Sequence, residues 1–194
     1  MSTTPLTLSF AGQQPPIALP QVPGTRGPVG VDMRGLNQSG FCSYDPGFAN
    51  TAGCQSAISW IDTENSVLLH RGYPVDQLAR QCDFLEVAYI MLNGDAPDEA
   101  SYQTFRETIT RHTLVHEQIA RMCSGFRRDS HPMALMCALV GALAAFYHDV
   151  LDVENPQHRA LAATRLLSKM PTIAAMSYKY TIEQPAAYPR NDLS

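Results

Sequence analysis

The sequence predicts a mainly α-helical protein that is preceded by a small β-rich segment. Apolar residues alternate in short runs between Pro- and Gly-rich stretches before about residue 74, and they recur at helical spacing after it. From Met133 to Tyr147 every residue is aliphatic, aromatic, Ala, Gly, Cys or Met. Because this stretch is apolar all round, we expect a central helix that is enclosed on every side. It is shorter than the roughly 17 to 25 apolar residues that span a bilayer.

Composition narrows the functional class. With 194 residues, 45% of them hydrophobic and 16% charged, the chain is predicted to fold around a core of its own. Its net charge of −4 indicates no general attraction to nucleic acids or membrane surfaces. No secretory signal is visible at the N-terminus, and the five cysteines form no CxxC pair. We therefore expect reduced thiols in a cytoplasmic protein without a membrane segment.

The first part of the chain contains the predicted strands. Apolar residues alternate over 6–10, and Gly12 follows as a turn signal. We expect 13–30 to be an irregular connection, because Pro and Gly are frequent there. Two short strands are predicted at 57–61 and 67–69, and the polar residues between them would form the turn. These features are typical of a β-rich arm or a small subdomain.

The remainder is predicted to be helical, which divides the chain into a β-rich segment, 1–74, and a helical part, 75–194. Asp83 with Glu86 is a plausible capping box for the first long helix, and Gly94 would end it. The next helix is predicted to open at Pro97. Its inner face would carry Tyr102, Phe105 and Ile109.

Four further helices follow by the same reasoning. One is expected over about 116–123, burying Ile119 and Met122 and stopping at Gly125. Ser130 would be the N-cap of the central helix, with Pro132 in its first turn. Asn155 would cap the next helix, which Pro171 is expected to end. A last helix is predicted over about 172–180.

Recognised catalytic motifs are not found. No GxGxxG or GxxxxGK[ST] phosphate-binding loop occurs in the sequence. His112 and His116 are four residues apart and could share a helix face, but HExxH and a third ligand are missing, so we predict no metal site. His148 and Asp149 follow the central helix without a Ser or Cys nucleophile nearby, and we interpret them as charges at a helix end.

Two groups of cationic residues can be interpreted either as structural or as part of a site for an anionic ligand. Arg165 and Lys169 lie four residues apart on one helix, where like charges repel each other. They would either neutralise the helix C-terminus or face an anionic partner. Arg111, His112 and Thr113 lie at the predicted end of another helix and offer several hydrogen-bond donors. A shared anionic ligand is one explanation for both groups.

Three blocks of sequence together resemble the N-terminal half of citrate synthase, of the bacterial type that forms hexamers and is inhibited by NADH. The blocks are 41–79, 111–147 and 165–194, and they contain the motifs DPGF, RGYP and SHPM in that order. The resemblance implies the multi-helical large domain of that fold, incomplete in this chain, after a small β-rich segment. It also implies a homo-oligomer, a dimer or a hexamer, for the full enzyme.

The resemblance implies an acyltransferase of the tricarboxylic acid cycle, which condenses acetyl-CoA with oxaloacetate and water to give citrate and CoA. The family's catalytic Asp and His residues, and the Arg residues that bind oxaloacetate, all belong to its second half. We therefore assign no catalytic residue and no cofactor to this chain, and we expect it to be inactive alone.

The resemblance also implies an allosteric site for NADH as an inhibitor. The residues that match that site here are Arg111, His112, Thr113, Tyr147, Arg165, Lys169 and Asn191. Leu114 stands where the family usually has Met. Three functional classes stay open: a part of citrate synthase, a non-catalytic helical module that keeps nucleotide-binding or assembly surfaces, and an unstable remnant without a function. A fragment is expected to leave apolar patches where missing helices would pack.

Overall fold

The computed structural model describes residues 4–12 and 15–191, which form two compact units. One unit contains the chain up to Asp83 together with Ile90–Gly94. The other contains Phe84–Tyr89 and the chain from Asp95 onward. The predicted division at residue 74 stays a prediction, whereas the mainly helical fold class with a small N-terminal strand segment is confirmed.

Seven short strands lie in the described part of the first unit. They form the antiparallel pairs β1–β2 and β3–β4 and a three-stranded antiparallel sheet in the order β5-β6-β7. Their bounds are β1 Leu6–Leu8, β2 Ile17–Leu19, β3 Gln21–Val22, β4 Gly30–Val31, β5 Ser59–Asp62, β6 Val67–His70 and β7 Tyr73–Pro74. The two strands predicted near 57–61 and 67–69 are confirmed as β5 and β6.

The prediction of an irregular connection over 13–30 was wrong where the structure describes it; residues 13 and 14 lie outside the described residues. Three of the strands, β2, β3 and β4, use residues of this stretch. Leu19 of β2 is buried, and a Cβ on Gly35 would lie 3.5 Å from its side chain. Gly35 belongs to the 3₁₀ helix Met33–Ser39. Tertiary packing of this kind outweighs the local influence of Pro and Gly.

The helices begin and end at recognisable signals. Their bounds are α1 Val75–Gln81, α2 Phe84–Asn93, α3 Glu99–Arg111, α4 Glu117–Met122, α5 Pro132–Phe146 and α6 Pro156–Thr181. Gly94 follows α2 with a φ of 99°, a conformation that glycine adopts without strain. The Asn155 side chain accepts a hydrogen bond of 2.9 Å from the Gln157 N–H, as expected of the N-cap of α6.

Two predicted helix starts were displaced by one or two residues. Helix α3 begins after Asp98, whose carboxylate accepts a 2.7 Å hydrogen bond from the Ser101 N–H, and not at Pro97. Helix α5 is capped by His131, whose Nδ1 accepts from the Met133 N–H at 3.2 Å, and not by Ser130. In each case the capping side chain is the one that reaches a free N–H of the first turn.

Pro171 lies inside α6 and does not end it, so the prediction of two separate helices was wrong. The proline is exposed, whereas Lys169, Thr172 and Ile173 beside it are buried. Proline removes one backbone hydrogen bond and opposes a straight helix. The contacts of the buried face keep the chain helical across it.

The core of the second unit surrounds one face of α5. Its buried members are Ile119, Cys123, Leu139, Leu143 and Ile173, and α5 packs against α6. Cys123 takes the inner position that was predicted for Met122, which is 36% exposed.

Helix α5 is not enclosed on every side. Leu135, Leu139 and Leu143 are buried, but Met133 is 54% exposed, and Cys137 and Gly141 are exposed as well. Our prediction of complete enclosure was therefore wrong for the described residues, although the expected apolar surface is present. Within those residues, no helix combines the length and apolar character that crossing a membrane requires.

The three short motifs each perform a structural role. In DPGF, the Asp45 carboxylate accepts hydrogen bonds from the N–H groups of Ala49 and Asn50, at 3.1 and 2.9 Å. In RGYP, the Arg71 guanidinium donates to the Met91 carbonyl at 2.8 and 3.1 Å. In SHPM, His131 and Pro132 start α5. The motifs therefore fix turns and helix ends.

Candidate functional site

The end of α3 and the following loop are held in place by Asn191. Helix α3 ends at Arg111, and the His112 N–H donates to the Ile109 carbonyl at 3.0 Å as the helix closes. The Asn191 side-chain oxygen accepts from the Thr113 hydroxyl at 3.0 Å, and its amide nitrogen donates to the Thr110 carbonyl at 3.0 Å. Asn191, from the far end of the described chain, thereby joins the predicted Arg111–Thr113 group.

Lys169 lies beneath the same loop and is almost fully buried. Its Nζ donates to the carbonyl oxygens of His112 and Leu114, at 2.7 and 2.5 Å, and lies 5.0 Å from the centre of the Tyr147 ring. Two of its three N–H donors are thus used by carbonyls. The Thr172 hydroxyl donates to the Thr113 carbonyl at 2.9 Å. Helix α6 therefore holds the loop after α3 through two adjacent turns.

Arg165, one turn earlier on α6, forms a two-point ion pair. Its NH1 and NH2 groups donate to the two carboxylate oxygens of Asp149, at 2.8 and 2.9 Å, and its guanidinium carbon lies 4.9 Å from the centre of the Tyr147 ring. The Arg165 hydrogen bond lowers the pKa of Asp149, and the same bond raises the pKa of Arg165. Tyr147 therefore lies against both Arg165 and Lys169.

Arg111 is more exposed than these two cations. Its guanidinium donates to Glu107 at 3.1 Å, one turn back on α3, and the pair lines a shallow pocket of about 200 Å³ on the surface of α3. Thr110, whose carbonyl binds Asn191, lines the same pocket.

The predicted residues form two contact groups that meet at the loop after α3: Lys169 joins His112, Tyr147 and Arg165, and Asn191 joins Thr113, which follows His112 in the chain as Arg111 precedes it. The members are Arg111, His112, Thr113, Tyr147, Arg165, Lys169 and Asn191. Two of their cations, Arg111 and Arg165, pair with the carboxylates of Glu107 and Asp149, whereas Lys169 binds backbone carbonyls. Chemically, the cluster offers positive charge, an aromatic face and amide and hydroxyl groups in one place, which suits an anionic ligand that carries a ring.

His112 and His116, the two histidines with helical spacing, lie in different elements. His112 follows α3, with its Nδ1 2.8 Å from the Thr108 carbonyl, whereas His116 caps α4 and its Nδ1 accepts from the Gln118 N–H. The two residues therefore do not share a helix face, which their spacing of four residues had left possible. Over residues 4–12 and 15–191, no group of three or more metal-ligating His, Cys, Asp or Glu side chains is present. His148 is exposed.

Sequence reasoning missed the partners that organise the cluster. Asp149 was interpreted only as a charge at a helix end, and the structure pairs it with Arg165. Glu107 lies four residues before Arg111, a spacing that does predict an ion pair on a helix. No local pattern connects Thr172 with Thr113, because 59 residues separate them.

Fold and site together define a mainly α-helical protein whose buried and exposed cations gather where α3 ends against α6. The family model described as the citrate synthase C-terminal domain matches residues 47–194. The chain therefore belongs to the citrate synthase family.

Solved structures agree with this assignment. Citrate synthase from Pyrobaculum aerophilum is 27% identical with a TM-score of 0.66, over 73% of this chain and 37% of that one. Citrate synthase from Thermotoga maritima is 24% identical with a TM-score of 0.65, over 78% and 39%. The citrate synthase of Thermoplasma acidophilum, solved as a ternary complex with carboxymethyl coenzyme A and oxaloacetate, is 22% identical with a TM-score of 0.67, over 73% and 37%. The last two show likeness of fold alone. The chain thus spans less than half the length of these structures.

Proposed function

We propose that this chain is the N-terminal part of a cytoplasmic citrate synthase, whose whole chain condenses acetyl-CoA with oxaloacetate and water to give citrate and CoA. Membership of the family over residues 47–194 is the observation that carries the proposal. The ternary complex of the Thermoplasma acidophilum protein supports acetyl-CoA and oxaloacetate as substrates. We further propose that the whole enzyme is a homo-oligomer, a dimer or a hexamer.

Alone, the 194 residues are expected to be inactive. Citrate formation needs acid–base groups beside the acetyl methyl and cations for the carboxylates of oxaloacetate. The resemblance supplies none of these residues within this chain. The test is incubation with acetyl-CoA and oxaloacetate, followed by chromatography of CoA. A thiol reagent is unsuitable because Cys42, Cys54 and Cys137 are exposed and would react themselves. CoA release that requires both substrates would overturn the assignment.

A second function, binding of NADH as an allosteric inhibitor, is supported by the cluster around Tyr147. Arg165 and Lys169 supply positive charge for the two phosphates. Because Lys169 is buried, it acts mainly through its charge and through the two hydrogen bonds that hold the loop after α3. Tyr147 offers a face for stacking, and Asn191 and His112 offer polar contacts. This function would suit a non-catalytic helical module as well as a whole enzyme.

Titration of the chain with NADH, followed by nicotinamide fluorescence, tests this second function. We expect saturable binding in the wild type and at least about tenfold weaker binding in Arg165→Gln, because a charge-assisted hydrogen bond is lost. Arg121→Gln, on the exposed surface of α4, is the matched control and should bind as the wild type does. An absence of saturation at millimolar NADH, or equal binding by Arg165→Gln, would refute the proposal. A chain that shows no cooperative unfolding would instead be the unstable remnant.

A further inference from the structure

The Arg165 guanidinium has little room for an external anion. Its edge formed by NH1 and NH2 is occupied by both carboxylate oxygens of Asp149, and the Tyr147 ring lies near it. The Arg165 side chain is only 17% exposed, whereas that of Asp149 is 57% exposed. The carboxylate therefore stands on the solvent side of the guanidinium.

A carboxylate in this position resembles a bound ligand group. Two parallel N–H···O bonds are the geometry by which arginine binds either a carboxylate or a phosphate oxygen pair. An incoming phosphate must therefore displace Asp149 or bind beside it, against its negative charge.

The exposure of Asp149 makes displacement feasible. Water and salt screen the exposed carboxylate of this pair, so the pair contributes less free energy than a fully buried one would. Asp149 precedes the exposed residues Leu151 and Val153, outside any α-helix. Lys169 cannot serve as a substitute for Arg165, because its Nζ is fixed by two carbonyls.

We propose that Asp149 is an internal competitor that occupies the phosphate position on Arg165 and thereby sets the affinity of the cluster for an anionic nucleotide. The proposal rests on the nucleotide-binding function proposed above. It adds Asp149 to the site as a residue that opposes binding.

Asp149→Asn tests the inference, since it removes the charge and keeps the side-chain shape. We expect NADH, as the fluorescent probe, to bind about three- to tenfold more tightly than to the wild type, the range that release of a partly exposed ion pair allows. Asp152→Asn removes an equal charge three residues away and should leave the dissociation constant unchanged. Circular dichroism of each variant verifies the fold, and Asp149→Ser serves if the asparagine variant does not fold.

A double-mutant cycle with Arg165→Gln tests whether the gain in affinity from Asp149→Asn depends on Arg165. In the Arg165→Gln background, Asp149→Asn should give no gain, because the position for which Asp149 competes no longer exists. A gain that persists there, or wild-type binding that Asp149→Asn does not tighten, would overturn the inference and leave the NADH function standing. Failure of both the wild type and Asp149→Asn to bind would overturn both proposals. Binding by Asp149→Asn alone would support the competitor and contradict NADH as the ligand of the wild type.

Discussion

Single residues fix the turns of this protein through buried or partly buried backbone contacts. Arg71 has a φ of 51°, an unusual value for a residue with a side chain, and its guanidinium reaches the carbonyls of Met91 and Ala57. Strain of this kind persists only where the surrounding contacts hold the residue in place. The RGYP motif therefore indicates a structural arginine.

Arg71→Ala should lower the free energy of unfolding by about 1 to 3 kcal/mol, since the Met91 carbonyl loses two charge-assisted hydrogen bonds. Urea denaturation measures the change. Arg80→Ala is the control, because Arg80 pairs with Asp76 at the surface of α1 and its loss should cost less than about 0.5 kcal/mol. Equal effects of the two substitutions would contradict the assigned role.

Asp149 should make the structure sensitive to acid. The hydrogen bond from Arg165 lowers its pKa below the ordinary value of 3.8, so the folded state binds its proton less readily than the unfolded state does. The resulting stabilisation is complete above pH 3.8 and is lost as the pH falls through the lowered pKa. NMR titration of the Asp149 carboxyl should give a midpoint below 3.8, and Arg165→Gln should return it toward that value. An unchanged midpoint in the variant would refute the pairing.

At the scale of elements, α6 organises the cluster by holding the loop after α3. Lys169→Met should lower the free energy of unfolding by about 2 to 4 kcal/mol, because the carbonyls of His112 and Leu114 lose their buried donor. Lys179→Met on the same helix is the matched control, since Lys179 donates to the Gln184 side chain at the surface. Thermal and urea unfolding measure both changes. A loss under about 0.5 kcal/mol in Lys169→Met would show that the loop does not depend on it.

The elements also show how far the sequence predicts this fold. Strands β5 and β6, the cap at Asn155 and the end of α2 at Gly94 were predicted, because each depends on neighbours in the chain. The continuation of α6 through Pro171 was not predicted, because residues such as Thr172 bind partners far away in sequence.

The seven site residues were named through resemblance. The repulsion between Arg165 and Lys169 was the local signal, and their partners, Asp149 and two backbone carbonyls, explain why both are tolerated.

At the scale of the whole molecule, one face of α5 stays exposed although its sequence is typical of a core helix. It carries Met133, Ala134, Cys137, Gly141 and Ala144, all exposed. A contiguous apolar face of this kind is typical of a surface that packs against further protein. We expect the remainder of a longer protein, or another subunit, to cover it.

Cysteine labelling tests this description. In the 194-residue chain, iodoacetamide should modify exposed Cys137 much faster than buried Cys123, since burial also raises the pKa of the Cys123 thiol. Peptide mass spectrometry measures both rates. In a whole citrate synthase with this sequence, Cys137 should become protected. Equal rates at the two thiols of the chain would contradict the burial pattern of α5.

The central claim is that the cluster where α3 ends against α6 binds an anionic nucleotide. The most direct test is a two-dimensional NMR titration of the isotopically labelled chain with NADH. We predict that signals of Arg111, His112, Thr113, Tyr147 and Arg165 shift together and fit one dissociation constant. Shifts confined to other residues, or no shift at millimolar NADH, would contradict the claim.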